Sequence, residues 1–279
     1  AARSEAPPKP AVTAQAHTEA PPKSGGWGVQ LGVFKSRENA ERLAGFMADI
    51  GGIITEEDLL KYEPQEREPI RGTYRGYDIV SMPPPSSGGV ILVEMLNILE
   101  GFDLADMGHN SADYLHVLTE TMRRAYADRT EHLGDPDFNE SMPLQRLMDK
   151  DYAETLRASI DMDSASESSP ADFAQIYESE ETTHFSIVDK EGNMVSMTYT
   201  LEFGYGSGIV VEGGGYLLNN EMGDFNAVPG VTTVRGLIGT APNLVEPEKR
   251  PLSSMTPTIV AKDGKPVFSA GSPGGKTII

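Results

Sequence analysis

The residues best placed to do chemistry lie between Glu180 and Thr200, in the stretch E-E-T-T-H-F-S-I-V-D-K-E-G-N-M-V-S-M-T-Y-T. Phe185, Ile187 and Val188 lead into a polar D-K-E-G-N corner, and Met194, Val195, Met197 and Tyr199 lead out, which is the pattern of a β-hairpin. A three-residue turn at Lys190, Glu191 and Gly192, with Gly192 left-handed, pairs Asp189 with Asn193. Seven residues outward along each strand, Thr182 then faces Thr200. Opposed threonines are ordinary cross-strand partners. They also suit a threonine nucleophile whose base is its own α-amino group, exposed when the chain is cut between Glu181 and Thr182. Attack of the Thr182 hydroxyl on the Glu181 carbonyl would shift the acyl group from nitrogen to oxygen, and hydrolysis of that ester frees the amine. An α-amino group titrates at roughly 7.7–8, so near neutral pH a useful fraction can take the hydroxyl proton.

Four motifs follow in order: T-T-H-F-S-I-V-D-K-E-G-N, L-L-N-N-E-M-G-D-F, R-P-L-S-S-M-T-P-T-I-V and G-S-P-G-G. Together they resemble the γ-glutamyltransferase (glutathione hydrolase) family from Gly51 to Ile279. The resemblance implies that Thr182 is the nucleophile and that Thr200 orients its amine. Gly274 and Gly275 match the backbone donors that stabilise the oxyanion. Asp224, with Glu221 beside it, matches the residues that hold the substrate amine, and Ser253 and Ser254 match the hydroxyls that hold its carboxylate. The plainer alternatives are surface charges for the acids and a turn for the serines.

Glu202 departs from the pattern, because many members carry Asn there. A carboxylate would repel the substrate carboxylate unless it faces the amine. The loop 227–244 resembles a lid, with Arg235 where other members have an aromatic residue. The arginine that clamps the carboxylate in the family belongs to an earlier part of the large subunit, and the small subunit continues beyond the position of Ile279. The chain therefore reads as the central portion of the enzyme, expected to bind substrate poorly by itself.

The resemblance further implies an α+β fold, the αββα sandwich of N-terminal nucleophile hydrolases, incomplete in this chain. Residues 49–181 would be the C-terminal part of a large subunit and 182–279 the N-terminal part of a small one, joined as a heterodimer after processing. The implied reaction transfers the γ-glutamyl group of glutathione-like donors to water, amino acids or peptides through a threonyl ester, with no metal or organic cofactor, in the periplasm or outside the cell. A cephalosporin or glutaryl acylase on the same scaffold is the nearest alternative.

A third reading comes from A-G-S-P-G-G-K-T at 270–277, which fits a relaxed phosphate-loop pattern. Such a loop needs a following helix, and Pro273 removes one backbone donor from the cradle.

The formal net charge of −19 argues against nucleic acid or an anionic membrane as partner. The absence of cysteine excludes disulfides, thiolate metal sites and a cysteine nucleophile. No apolar run reaches spanning length, and no signal-peptide core is present, so an exported form would have lost its signal or carry it elsewhere.

Residues 1–26, rich in Ala, Pro, Lys and Ser, read as a flexible linker. Trp27, Val29, Leu31 and Val33 then alternate as a strand, and Ser36 can cap a helix carrying Ala40, Leu43 and Ala44. This stretch, 27–48, resembles the opening of a SPOR peptidoglycan-binding domain and so implies peptidoglycan contact. Alternatively it is the helix that precedes the transferase motif G-G-I-I-T-E-E-D-L.

Downstream, Thr55 caps a short helix, Arg71 to Val80 reads as a hairpin, and Val90 to Leu99 as a buried helix. Ser86 to Gly89 before it suits either a cap or an anion site. A helix from Ser111 to Leu133 carries the stripe Leu115, Leu118, Met122, Ala125 and Tyr126, started by Asn110 with Asp113. Ser164 to Pro170 reads as a surface loop leading to the cut. Further strands are expected at Gly215 to Asn220, Thr258 to Val260 and Pro266 to Ser269.

Overall fold

Two R-G and D-G turns build the central sheet. In the computed structural model, which describes residues 37–168, 182–226, 228–231, 239–275 and 278–279, Arg75–Gly76 joins β1 (Ile70–Tyr74) to β2 (Tyr77–Ser81). Later strands β5 (Thr258–Lys262) and β6 (Lys265–Ala270) join through Asp263–Gly264. β2 pairs antiparallel with β5, so the sheet runs β1-β2-β5-β6.

Helix α3 (Gly88–Glu100) covers one face of this sheet. It follows three prolines that break regular structure, and it buries Val90, Ile91, Val93, Met95 and Ile98. Each such side chain contributes about 1.5–3 kcal/mol relative to exposure. Helix α5 (Ala112–His132) and helix α7 (Lys150–Ala158) pack on α3. The short α4 (Leu104–Met107) and α6 (Leu144–Leu147) connect them.

The second strand layer is the hairpin of β3 (Thr182–Val188) and β4 (Met194–Thr200). Asp189 accepts the N–H groups of Glu191 and Asn193, each at 2.9 Å, and Gly192 stands at φ 87°, which a side chain would strain. The turn sets the register as expected, with Thr182 opposite Thr200. Successive strand residues point to opposite faces. Ile79 and Val260 share a cavity with Leu92 and Leu96 of α3, whereas Val80 and Ile259 share one with Met194 to Ser196 of the hairpin. The hairpin therefore lies on the face opposite α3, giving the layers helix, sheet, sheet. Ser186 and Ser269 bond hydroxyl to hydroxyl at 2.8 Å, and Ser196 donates to the Ala270 carbonyl at 3.2 Å. The outward hairpin face, Phe185, Ile187, Met197 and Tyr199, is exposed.

Helix α1 (Arg37–Asp49) sits apart from the main core, burying Leu43 and Met47 against Val211, with Arg42 donating to the Gly213 carbonyl. Thr55 caps α2 (Glu56–Lys61) in a reciprocal box with Asp58.

Four expectations are corrected. Gly215 to Asn220 forms only a bridge, Val210 with Leu217, because Gly213 and Gly215 take positive φ (69° and 71°) and a strand needs extended backbone. Ser111, not Asn110, caps α5 by accepting the Tyr114 N–H, since Asn110 is itself left-handed at φ 57°. Of the expected stripe on α5, Leu118, Met122, Ala125 and Tyr126 do pack into the core, joined by Val117 and Thr121, but Leu115 is exposed. Ser87 precedes α3 without capping it, because its hydroxyl is used elsewhere. The proposed linker 1–26, the strand from Trp27 to Val33, Ser36, the end of the processing loop, Glu181, Arg235, and Lys276 with Thr277 all lie outside the described residues. Among the described residues no helix is long and apolar enough to cross a membrane.

Candidate active site

Thr182 opens β3 and Thr200 closes β4, so the hairpin register alone brings their hydroxyls together. Thr182 Oγ1 donates to Thr200 Oγ1 at 3.4 Å. The same Thr200 oxygen accepts the N–H of Glu202 at 2.8 Å, and Glu202 reaches that position only by adopting φ 72°. Thr200 is thus held from two sides.

Glu202 then turns its carboxylate toward Asn220, whose side-chain amide donates to it, while Asn220 Oδ1 accepts the Phe203 N–H at 3.1 Å. Gly223 lies so close that an added Cβ would sit 3.2 Å from Glu202 Oε2. Glu221 and Asp224 occupy the single 3-10 turn that follows Asn220. Burial, then the charges of Asp224 and Glu202, push the Glu221 carboxyl up to about 7. Its Oε1 is buried without a hydrogen-bond partner. Glu202 therefore stands among the acids, its charge acting on Glu221.

On the other side is the P-L-S-S-M loop. Ser253 and Ser254 are fastened to the S-S-G-G run: Ser87 donates both its N–H and its hydroxyl to the Ser253 carbonyl, each at 2.8 Å. Ser86 donates to the Met255 carbonyl at 2.7 Å, and Ser253 N–H goes to the Pro85 carbonyl at 3.0 Å. The S-S-G-G run is thus a fastening for the serine loop, with its hydroxyls already spent. Ser253 Oγ accepts the Met255 N–H at 3.1 Å, and Ser254 Oγ accepts from Arg129 Nη2 at 2.9 Å.

Arg129 was not anticipated. It is buried at the end of α5, donating through Nε to Ser87 Oγ at 2.9 Å as well as to Ser254. Burial pulls its pKa down, and Tyr126 and Asp224 oppose that pull. The available signal was its place four residues after Ala125, on the buried face of the helix. Asn220 was missed as well, although it lies within the L-L-N-N motif.

Hydrogen bonds therefore link Thr182, Thr200 and Glu202 to Asn220, with Glu221 and Asp224 on the turn that follows, while Ser254 is bonded to Arg129, on which the charge of Asp224 acts through space, and Ser253 adjoins it. Carboxylates gather at one end and a guanidinium with two hydroxyls at the other. That is complementary to a molecule carrying both an ammonium and a carboxylate. Gly274 (φ 137°) and Gly275 (φ 54°) contribute backbone only and stand outside this side-chain network, in the loop after β6. That loop begins with Gly271 pressed on His184, where an added Cβ would lie 2.2 Å from Nδ1. His184 is itself held by Thr198 at 2.8 Å and Ser186 at 3.1 Å, and burial lowers its pKa. Among the described residues no cluster of three or more His, Asp or Glu could hold a metal ion.

Comparison with known proteins agrees with this geometry. The profile of the family described as Gamma-glutamyltranspeptidase matches residues 32–279, which takes in α1. The chain is 54% identical to the glutathione hydrolase proenzyme of Escherichia coli strain K12 over 243 residues, 86% of this chain and 42% of that protein. It is 49% identical to the proenzyme of the same name from Pseudomonas sp. strain A14, over 88% of this chain and 43% of that protein. The chain thus spans about two fifths of the length of the curated relatives it matches. Among solved structures, the cephalosporin acylase of Bacillus halodurans superposes with a TM-score of 0.65 at 28% identity, covering 84% of this chain and 39% of that one. The helix, sheet, sheet layers are accordingly three of the four in the αββα sandwich of N-terminal nucleophile hydrolases. Profile, identity and layer order agree, and the chain belongs to the gamma-glutamyltranspeptidase family.

Proposed function

We propose that the protein is a γ-glutamyltransferase, or glutathione hydrolase, cut between Glu181 and Thr182 and using the new N-terminal threonine as nucleophile. The observation that carries this reading is the Thr182 to Thr200 hydroxyl contact at the mouth of a network with separated acidic and basic ends. Residues 49–181 fall in the large subunit and 182–279 in the small one, and the pair works as a heterodimer.

In the reaction, the amine of Thr182 takes the proton of its own hydroxyl as Oγ1 attacks the γ-carbonyl carbon of the donor. Thr200 orients that amine. The oxyanion forms against the N–H groups of Gly274 and Gly275. Two contacts support that placement: Ser269 lies beside Ser186 and Gly271 beside His184, so the same spacing brings Pro273 level with Thr182. The C–N bond then breaks, the departing amine takes the proton from Thr182, and the γ-glutamyl ester passes to water or an amino group. Asp224, Glu221 and Glu202 hold the donor's ammonium, and Ser253 and Ser254 its carboxylate. Thr182 serves each proton transfer, so the chemistry needs no metal or organic cofactor. An exported location, periplasmic or extracellular, fits the cysteine-free sequence and is tested by cell fractionation.

The acylase reading uses the same nucleophile. The acidic end of the site, where Glu221 stands with Asp224 and Glu202, favours a donor with an ammonium, which a glutaryl group, bearing the carboxylate alone, lacks. Intact-mass measurement on the full-length protein and its Thr182→Ala variant decides the matter, together with anilide release from γ-glutamyl-p-nitroanilide and from a glutaryl anilide. Wild type should split before Thr182 and favour the γ-glutamyl donor, and the variant should do neither. A wild-type chain that stays whole overturns the proposal.

A further inference from the structure

A hydroxyl has one proton to give and two lone pairs with which to accept. Which role it plays toward a ligand depends on what the protein has already asked of it. Ser254 Oγ takes a hydrogen bond from Arg129 Nη2, and Ser87 Oγ takes one from Arg129 Nε while giving its own proton to the Ser253 carbonyl. One planar guanidinium therefore sets both hydroxyls. Ser254 is left with its proton to give, as a carboxylate requires. Ser253, whose carbonyl Ser87 holds, likewise accepts from the Met255 N–H and keeps its proton.

The guanidinium that does this is buried and forms no ion pair among the described residues, its carboxylate interaction being the through-space pull of Asp224. A buried cation so placed is costly unless nearby groups or a bound anion compensate it. Its two bonded partners come from segments 42 and 125 residues away, the start of α3 and the serine loop. Lysine, with one nitrogen, cannot span both.

We infer that Arg129 is the positioning residue that makes Ser254 a hydrogen-bond donor, and thereby adds to the site's preference for donors bearing an α-carboxylate. It acts through the serine hydroxyl rather than by touching substrate. This inference rests on the enzymatic reading above and adds to it a residue outside the four sequence motifs.

The test compares two donors in the full-length protein: γ-glutamyl-p-nitroanilide, and γ-aminobutyryl-p-nitroanilide, which has the same chain and amine but no carboxylate. In Arg129→Lys the KM for the γ-glutamyl donor should rise about tenfold or more, the scale of a lost hydrogen bond to a charged group. Its kcat should change much less, and the preference over the γ-aminobutyryl donor should shrink by the same factor as KM rises. Ser87→Ala keeps the buried charge and removes one of its two anchors, so it should shift the ratio in the same direction by a smaller factor. Equal losses on both donors, or an unchanged preference, in either variant would make Arg129 purely structural and overturn the inference. If Arg129→Lys fails to fold, the ratio in Ser87→Ala decides alone. A wild type inert toward both donors instead overturns the enzymatic reading, and is recognised before any variant is compared.

Discussion

Thr182 and Thr200 meet hydroxyl to hydroxyl at 3.4 Å, and the Thr200 oxygen also takes the N–H of Glu202 at 2.8 Å. The neighbour of Thr182 is therefore fixed by backbone as well as by strand pairing. Thr200→Val keeps the shape and removes the hydroxyl. It should lower kcat by roughly a hundredfold, the scale of a misaligned reacting group, while Thr200→Ser restores most of it. Steady-state kinetics on the processed protein check this, and an unchanged kcat in Thr200→Val would reduce Thr200 to a strand partner.

Glu221 gives the site a pH dependence. Burial, with Asp224 and Glu202 behind it, raises its carboxyl to about 7, so it is largely neutral below that value and charged above. A charged carboxylate holds an ammonium better, so KM for an amine-bearing donor should fall as pH rises through about 7. Glu221→Gln should flatten that step. A KM profile identical in variant and wild type would assign the step to another group.

Gly271 tests the loop that leads to the glycine pair. A methyl group there would collide with the His184 ring, and because that ring is held by Thr198 and Ser186, the loop must move instead. Gly271→Ala should cut kcat by about a hundredfold with little change in KM, as expected when an oxyanion donor is displaced. A KM effect without a kcat effect would place the loop in binding.

Glu94 concerns stability alone. It is fully buried within α3, and burial, followed by the charge of Asp128 and a hydrogen bond that only the protonated carboxyl can give to it, raises its pKa far above the ordinary 4.5. The folded protein holds that proton where the unfolded chain has released it, so this group's contribution falls as pH rises above 4.5. Glu94→Gln keeps the shape without the charge. Its Tm should exceed that of wild type, by a margin that widens from pH 6 to pH 8, in thermal melts of the full-length protein. A constant margin would mean Glu94 ionises alike in both states.

The hairpin was legible because a short turn and strict alternation leave one register, and the register alone places Thr182 against Thr200. The β1–β2 hairpin was legible for the same local reason, and β5 and β6 were legible as strands. Arg129 was not, because its partners lie 42 and 125 residues away and a buried cation looks like any other helix residue in a string. The Gly215 to Asn220 segment reads as a strand by composition, but Gly215 turns left-handed and Asn220 gives its side chain to Glu202 and Phe203. The serine pair was recognised by motif, whereas its fastening to Ser86 and Ser87 depends on tertiary packing.

The order β1-β2-β5-β6 sets two strands from before Thr182 against two from after it. A break ahead of Thr182 leaves the β2 to β5 ladder as a seam between two polypeptides, reinforced by Ser87 on Ser253, Arg129 on Ser254 and Asp135 on the Arg250 N–H at 2.7 Å. Such a scission would free an amine without freeing a fragment, because parting the halves would unzip the middle of a sheet and take Ser254 from a buried cation.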